Sequence, residues 1–146
     1  MNHIIVEDKL RDTNPVPVVI AFTPNYFIPA STCLYSIFAS LDIEEQMHVI
    51  CLLSEELPDR LKQKIQLIGG ERAQYSFINL QGRLQNIYID AKYTEAASYR
   101  LLLPDLLPEY DKVMYIDCDI IVRNNLVKLY RSVDLGNHYL AAVFEA

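Results

Sequence analysis

The stretch "VPVVIAF", residues 16–22, is an unbroken run of apolar residues in which Val and Ile predominate. A strand with one face in water alternates apolar and polar side chains, whereas a continuous β-branched run predicts a strand that is buried on both faces. The run ends at "TPNYFIPA", residues 23–30, where Pro24 and Asn25 favour a turn. The sequence therefore predicts a fully buried strand that is followed by a loop.

Segments typical of strands and helices alternate along the rest of the chain. Residues 31–41 carry apolar side chains at three- and four-residue spacings, which predicts a helix. Ser54 is the predicted N-cap of a helix that runs to residue 68 and stops at Gly69-Gly70. The remaining predictions are strands at 47–54, 73–80, 112–122 and 139–144, a loop at 81–92, a helix from 94 to Pro104, and a short helix or turn at 125–131. This alternation predicts an α/β fold with a mainly parallel sheet and helices on both faces.

The composition of the chain is typical of a globular domain and limits the partners that are expected. The chain has 146 residues, of which 51% are hydrophobic and 22% are charged, and its net charge is −6. This length suits one globular domain, with residues 1–15 as a lead-in that lacks the features of a secretory signal. Because the chain has no Lys/Arg-rich run and no stretch of 18 apolar residues, we expect no nucleic-acid partner and no transmembrane segment. The cysteines Cys33, Cys51 and Cys118 lie far apart in apolar runs, which predicts reduced, buried thiols and a cytoplasmic location.

The stretch "YIDCDIIV", residues 115–122, places two carboxylates inside an apolar run. In an extended segment, Asp117 and Asp119 would project to the same side, and Cys118 would point away from them into the core. Two close carboxylates repel each other unless a cation lies between them, and Mg²⁺ or Mn²⁺ binds both carboxylate and phosphate oxygens. The sequence thus predicts a metal site. The alternative is that Asp117 ends a strand and Asp119 caps a turn.

Three further residues are candidates for ligand binding. Arg100, in an otherwise apolar helix, can bind one of the aspartates or a phosphate with its planar fork; the alternative is a solvated helix arginine. Asn25 and Tyr26 follow the first strand and can hold a base or a ribose, or simply form a turn. In parallel sheets, ligands bind outside the carboxyl ends of strands, where the strand order reverses. The "TPNY" and "DCD" stretches both lie at predicted carboxyl ends.

Three stretches together resemble glycosyltransferase family 8, which includes bacterial lipopolysaccharide galactosyl- and glucosyltransferases and glycogenin. They are "VVIAFTPNYFIPASTCLYSI" (18–37), "SYRLLLPDLLPEYDKVMYIDCDIIVRNNLVKLY" (98–130) and "DLGNHYLAAVFEA" (134–146). The resemblance implies a GT-A fold, with a Rossmann-like, mainly parallel mixed sheet that binds a nucleotide sugar. It also implies a metal-dependent, retaining transfer of glucose or galactose from a UDP-hexose donor to a saccharide or glycolipid acceptor, as in lipopolysaccharide or surface glycan synthesis.

The resemblance also implies roles for single residues. Asp117 and Asp119 match the family's metal-binding pair and would hold Mn²⁺, or Mg²⁺, against the donor diphosphate. Arg100 matches an arginine near the donor sugar, and Glu145 falls where relatives often carry an acidic residue near the reacting carbon. Both are the expected catalytic residues. The expected nucleotide-sugar contacts are Ala21, Thr23, Asn25, Tyr26, Arg100, Asp117 and Cys118.

Two departures from the family pattern shape these expectations. Many relatives carry an aspartate where Thr23 stands, so a carboxylate's contribution is lost here. Relatives also continue past Ala146 with a histidine metal ligand, a Gly-Lys pair and most of the acceptor site. Residues 16–146 are therefore expected to be the nucleotide-sugar-binding part of a catalytic domain that is truncated at its C-terminus and self-associates through the truncated edge. A peripheral position on the inner face of the membrane is left open for the full-length protein.

Two other functions remain open from the sequence. One is a non-catalytic UDP-sugar-binding module, or an inactive fragment that lacks half of its site. The other, a nucleotidyltransferase, is disfavoured, because it would need a glycine-rich, basic phosphate loop after the first strand, and residues 23–30 contain neither glycine nor lysine. For a retaining transferase, two chemical routes are open. A double displacement needs a carboxylate nucleophile such as Glu145, whereas front-face attack by the acceptor needs none.

Overall fold

The computed structural model of this protein describes residues 14–85 and 94–143. Four strands form one parallel sheet in the order β3-β2-β1-β4. The strands are β1 (Val16–Phe22), β2 (Met47–Leu53), β3 (Ala73–Asn79) and β4 (Met114–Ile116). The helices are α1 (Phe27–Ala39), α2 (Asp59–Gln66), α3 (Glu95–Ser98), α4 (Leu103–Leu106) and α5 (Leu126–Ser132), with short 3-10 helices at Pro24–Tyr26, Gly70–Arg72 and Tyr99–Leu102.

Strand β1 lies at the centre of the sheet, and all seven of its residues are buried. It pairs with β2 from Val16↔Met47 to Phe22↔Leu53 and with β4 from Val18↔Met114 to Ile20↔Ile116. From β1 the chain proceeds to β2 and then to β3 on one side of the sheet. It then returns, and β4 pairs with the other side of β1. The strand order therefore reverses between β1 and β4, at the kind of position where open α/β sheets bind ligands.

Helices cover both faces of the sheet, as predicted. Val18 and Ile20 of β1 pack into a first core with α1, α2 and α5, whereas Val19 and Ala21 pack into a second core. The second core is formed by the segment from α3 to α4 and contains the fully buried Tyr99. Because β1 alternates between two apolar layers, its sequence has no polar position, which explains the continuous run.

The predicted helix after β2 begins later than expected. It starts at Asp59 and has Pro58 as its N-cap residue, so the predicted N-cap role of Ser54 is wrong. The residue before a proline is disfavoured in helical geometry, and a helix from residue 55 would have to pass through Leu57-Pro58. The helix ends at Gln66, two residues before the predicted end at 68, and the predicted stop at Gly69 agrees with its left-handed conformation, with φ of 86°, close to the ring of Phe38.

The helix predicted to end at Pro104 instead continues to Leu106 as α3, a 3-10 helix and α4. Pro104 lies in the first turn of α4, where a backbone N–H is not required. Residues 86–92 of the predicted loop and residues 1–13 of the predicted lead-in lie outside the described residues.

Two strand predictions are wrong in extent. The strand predicted over 112–122 is limited to Met114–Ile116. The described part of the strand predicted over 139–144 has no strand structure, and Tyr139, Leu140 and Val143 are largely exposed. A strand needs a neighbour for its backbone hydrogen bonds, and an apolar run alone does not supply one.

The three cysteines are free. Cys33 and Cys51 are buried and Cys118 is half-buried, in agreement with their apolar sequence context. Burial raises the pKa of the Cys33 thiol to about 11 and also raises the pKa of Cys51. Within the described ranges, the longest helices are too short or too polar to cross a membrane.

His48 of β2 forms a polar network on the second face of the sheet. Its Nε2 lies 2.8 Å from Ser76 Oγ, and its Nδ1 is hydrogen-bonded to the hydroxyl of Tyr110. Burial lowers the pKa of His48, and the nearby Glu109 opposes this shift. Burial therefore favours a neutral imidazole in the folded state.

We expect the free energy of unfolding to fall between pH 7.5 and pH 5.5. The unfolded chain takes up a proton at His48 near its ordinary pKa of about 6.5, whereas the folded protein resists protonation until a lower pH. The contribution of the neutral His48 to the free energy of unfolding is therefore fully present above the unfolded-state pKa and is lost as the pH falls below it. Urea unfolding at the two pH values measures this loss, which His48→Gln should reduce. His138→Gln, at an exposed position, is the control, and a His48→Gln variant with an unchanged pH dependence would contradict the assignment.

Candidate active site

The carboxyl ends of β1 and β4 lie side by side, because the two strands are parallel and pair at Ile20↔Ile116. The chain continues from β1 into Thr23 and the 3-10 helix Pro24–Tyr26, and from β4 into Asp117. The two stretches that the sequence singled out, "TPNY" and "DCD", therefore meet at the point where the strand order reverses.

Arg100 and Asp117 form an ion pair at this edge of the sheet. Arg100 Nη2 lies 3.2 Å from Asp117 Oδ1, and the two side chains are 47% and 61% exposed. The guanidinium carbon lies 4.5 Å from the ring centroid of Tyr115, and Arg100 Nε donates to Ala97 O at 2.9 Å. The pair itself is too exposed to add much stability, but the ring and the carbonyl orient a cationic fork towards solvent beside a carboxylate.

The backbone around the two aspartates differs from the extended form that the sequence analysis assumed. β4 ends at Ile116, and Cys118 and Asp119 lie in a turn. The argument that residues i and i+2 face one point is therefore wrong here, because it holds only in a strand. Asp117 directly follows the strand, and both aspartates are exposed to solvent.

Asp117 and Asp119 meet some, but not all, of the requirements of a site for a hard divalent ion. Their oxygens are of the type that Mn²⁺ and Mg²⁺ prefer, and both side chains face solvent. Among the described residues, however, no group of three or more His, Cys, Asp or Glu side chains could hold a metal ion. Asp117 and Asp119 thus fit a metal as two ligands of a site whose other positions are left to phosphate oxygens and water.

The thiols next to this turn are not anionic ligands. Cys118 packs partly against the first core, as expected for a spacer between the aspartates. Its pKa is raised by burial first and by Asp119 second, so the thiol keeps its proton at neutral pH. Cys33 of α1 lies beneath the turn, with its Sγ 3.7 Å from Asp117 O.

The predicted nucleotide contacts are divided between surface and core. Asn25 and Tyr26 are exposed, and Thr23 is partly exposed, with its carbonyl accepting from Tyr26 N at 2.8 Å. Ala21 is only 7% exposed, and its side chain belongs to the second core, so only its backbone can reach a ligand. Glu145 lies outside the described residues.

Sequence reasoning missed the residues that support the site. Tyr115 lies under Arg100. Cys33 and Ser36 of α1, and the C-cap residue Ser40, contact the segment that follows β4. A signal for the second group was present, because residues 33, 36 and 40 repeat at three- and four-residue spacings along one side of an apolar helix. What these residues would contact could not be read from the spacing.

The parallel sheet with helices on both faces is similar to the GT-A fold of known glycosyltransferases. The apo structure of the bifunctional glycosyltransferase WbbM matches with a TM-score of 0.68 and 25% identity over 94% of this chain and 23% of that one. The galactosyltransferase LgtC in complex with donor and acceptor sugar analogues matches with a TM-score of 0.64 and 24% identity over 83% of this chain and 44% of that one.

The family model described as "Glycosyl transferase family 8" matches residues 17–146. The chain therefore belongs to glycosyltransferase family 8, as the resemblance predicted. General stress protein A of Bacillus subtilis (strain 168) is 23% identical over 140 residues, which are 94% of this chain and 49% of that relative. Glycosyltransferase GlyE of Streptococcus pneumoniae serotype 4 is 31% identical over 97 residues, 64% and 23% of the respective lengths. The chain thus spans about half or less of these relatives.

Asp117→Asn should change the free energy of unfolding by less than about 1 kcal/mol, because exposed ion pairs contribute little. Tyr99→Ala, one residue from Arg100, should cost about 3–5 kcal/mol, because it removes a fully buried ring from the second core. Urea unfolding of both variants checks this contrast. Equal losses of unfolding free energy in the two variants would mean that Asp117 has a structural role and is not available to a ligand.

Proposed function

We propose that this chain is the donor-binding part of a metal-dependent, retaining glycosyltransferase that moves a hexose from a UDP-sugar to a saccharide acceptor. The observation that carries the proposal is the pair of Arg100 and Asp117 at the reversal of strand order, in a chain of glycosyltransferase family 8. This edge combines a cation that suits phosphate with carboxylates that suit a metal.

Three side chains would hold the donor diphosphate. Asp117 and Asp119 would bind Mn²⁺, or Mg²⁺, through their exposed oxygens. The chemistry supplied by a bound divalent ion is neutralisation of the charge that develops on the leaving diphosphate. Arg100, already oriented by Tyr115 and Ala97, adds a second positive charge and fixes the position of the donor.

The loop after β1 would hold the nucleoside. Asn25 and Tyr26 present an amide and a ring to solvent beside the diphosphate site, and these groups suit hydrogen bonding to a base or ribose and stacking on it. Thr23 offers a hydroxyl at the start of the same loop. Ala21 would contribute backbone groups only, since its side chain is buried.

The donor would be UDP-glucose or UDP-galactose, and the acceptor a saccharide or glycolipid of a surface glycan such as lipopolysaccharide. We place the reaction in the cytoplasm, where reduced cysteines such as the three free thiols of this chain are usual. The assignment of Glu145 as a group near the reacting carbon is also part of the proposal.

We expect UDP to raise the melting temperature of this chain in the presence of Mn²⁺ and much less in EDTA. Ligands that bind only the folded state stabilise it in proportion to their occupancy. Asp117→Asn and Asp119→Asn should each abolish the manganese-dependent part of the shift, because each removes one of two carboxylate ligands. Asp134→Asn, at an exposed position after the end of α5, is a matched control that should behave as the wild type. Unchanged UDP binding in both site variants would overturn the proposal.

Glu145→Gln should leave UDP affinity intact and lower the rate of hexose transfer or of UDP release from UDP-glucose and UDP-galactose. The amide has the size of the carboxyl group but cannot act as an anionic nucleophile. Binding is measured by calorimetry and release by a coupled assay on the same preparations. Turnover equal to that of the wild type would exclude Glu145 and favour front-face attack. UDP binding without any turnover in the wild type would instead favour a nucleotide-sugar-binding module.

A further inference from the structure

We infer that Ser36 of α1 and Ser40, the C-cap residue of α1, are positioning residues for the two aspartates, and this inference rests on the proposed function. Ser36 Oγ accepts a hydrogen bond from Val122 N at 2.8 Å, and Ser40 Oγ lies 3.2 Å from Val122 O. Both backbone groups of Val122 are therefore bonded to side chains of α1 and of its C-cap residue. Neither serine reaches the aspartates, so both act through the backbone.

The need for these bonds follows from where β4 ends. After Ile116 the chain leaves the sheet, and its backbone groups lose the regular partners that a strand provides. The segment 117–122 instead lies along α1, with Asp117 O near Cys33 Sγ at its start and Val122 bonded to Ser36 and Ser40 at its end. The turn that carries Asp119 is thus fixed at both ends, while its aspartates stay exposed.

Ser36 is the stronger of the two anchors. Its hydroxyl donates to Cys33 O at 2.7 Å, which leaves its lone pairs to accept from Val122 N. Ser40 Oγ has one proton and two acceptors in reach, Ser36 O at 2.8 Å and Val122 O at 3.2 Å, so its bond to the turn is shared. Removing the Ser36 hydroxyl would leave a partly buried N–H without its acceptor, which is the costlier loss.

Helix α1 also begins directly after the loop that carries Asn25 and Tyr26. The same rigid element therefore holds the nucleoside loop at its start and the aspartate turn along its side. The serine contacts set the distance between these two parts of the site. A ligand that spans both parts, as a nucleoside diphosphate with its metal would, is sensitive to this distance.

The test compares Ser36→Ala with Thr32→Ala. Thr32 is a matched control on the same helix, because it is exposed and its hydroxyl donates to Ile28 O at 2.9 Å, within the helix. We expect Ser36→Ala to weaken UDP binding in Mn²⁺ by about 3- to 10-fold, as one lost hydrogen bond to the backbone predicts, with little change in EDTA. Thr32→Ala should match the wild type, and Ser36→Thr, which keeps the hydroxyl, should recover most of the loss.

Two further readouts separate positioning from simple stability. Amide hydrogen exchange should show that residues 117–122 lose protection in Ser36→Ala and keep it in Thr32→Ala. In an Asp117→Asn background, Ser36→Ala should have no further effect on UDP affinity, because its effect passes through the aspartates. If Ser36→Ala does not fold, Ser40→Ala provides the same comparison with a smaller expected loss.

The outcomes distinguish this inference from the proposed function. A wild-type chain that binds UDP with Mn²⁺, together with a Ser36→Ala variant of equal affinity, overturns the positioning role alone. Equal losses in Mn²⁺ and in EDTA also overturn it, since they indicate a general structural effect. A wild-type chain that does not bind UDP with Mn²⁺ overturns the proposed function and the inference with it.

Discussion

Strand β1 is enclosed on all sides, by β2 and β4 within the sheet and by two helical layers above and below it. Because successive side chains of β1 pack alternately into the two cores, the strand fixes the two helical layers relative to one another. Its pairing with β4 brings the loop at Thr23 beside Asp117. The location of the candidate site is thus a consequence of how this one strand is buried, and the chemistry at its end is added by exposed side chains.

The site combines a rigid frame with accessible ligand groups. The frame consists of short-range contacts that lie partly under the surface, namely Tyr115 beneath Arg100 and Ser36 beneath the turn after β4. The aspartates that project from this frame are exposed and accessible to a ligand. Such a division suits a metal and phosphate site, since the backbone must be held in place while the oxygens stay accessible.

The sequence predicted β1, β2 and β3 closely, because continuous apolar runs between turn residues leave few alternatives. It extended β4 too far, because "DIIV" is as apolar as a strand, although Ile120 and Ile121 are exposed after the chain leaves the sheet. Hydrophobicity does not reveal whether a run finds a strand neighbour, and that depends on tertiary structure. In the same way, the sequence allowed Arg100 to bind an aspartate or a phosphate, and the structure has it paired with Asp117, but the sequence did not reveal the turn at Asp119.

Tyr99 and Arg100 are adjacent in the chain, yet the ring is fully buried and the guanidinium is half exposed. The 3-10 helix places one in the core and the other at the ligand edge. Substitutions at the exposed positions that alter ligand preference should therefore change the stability of the domain only slightly. Related proteins built on this sheet can change the ligand they bind through substitutions at its rim while the interior stays fixed, which makes the scaffold evolvable.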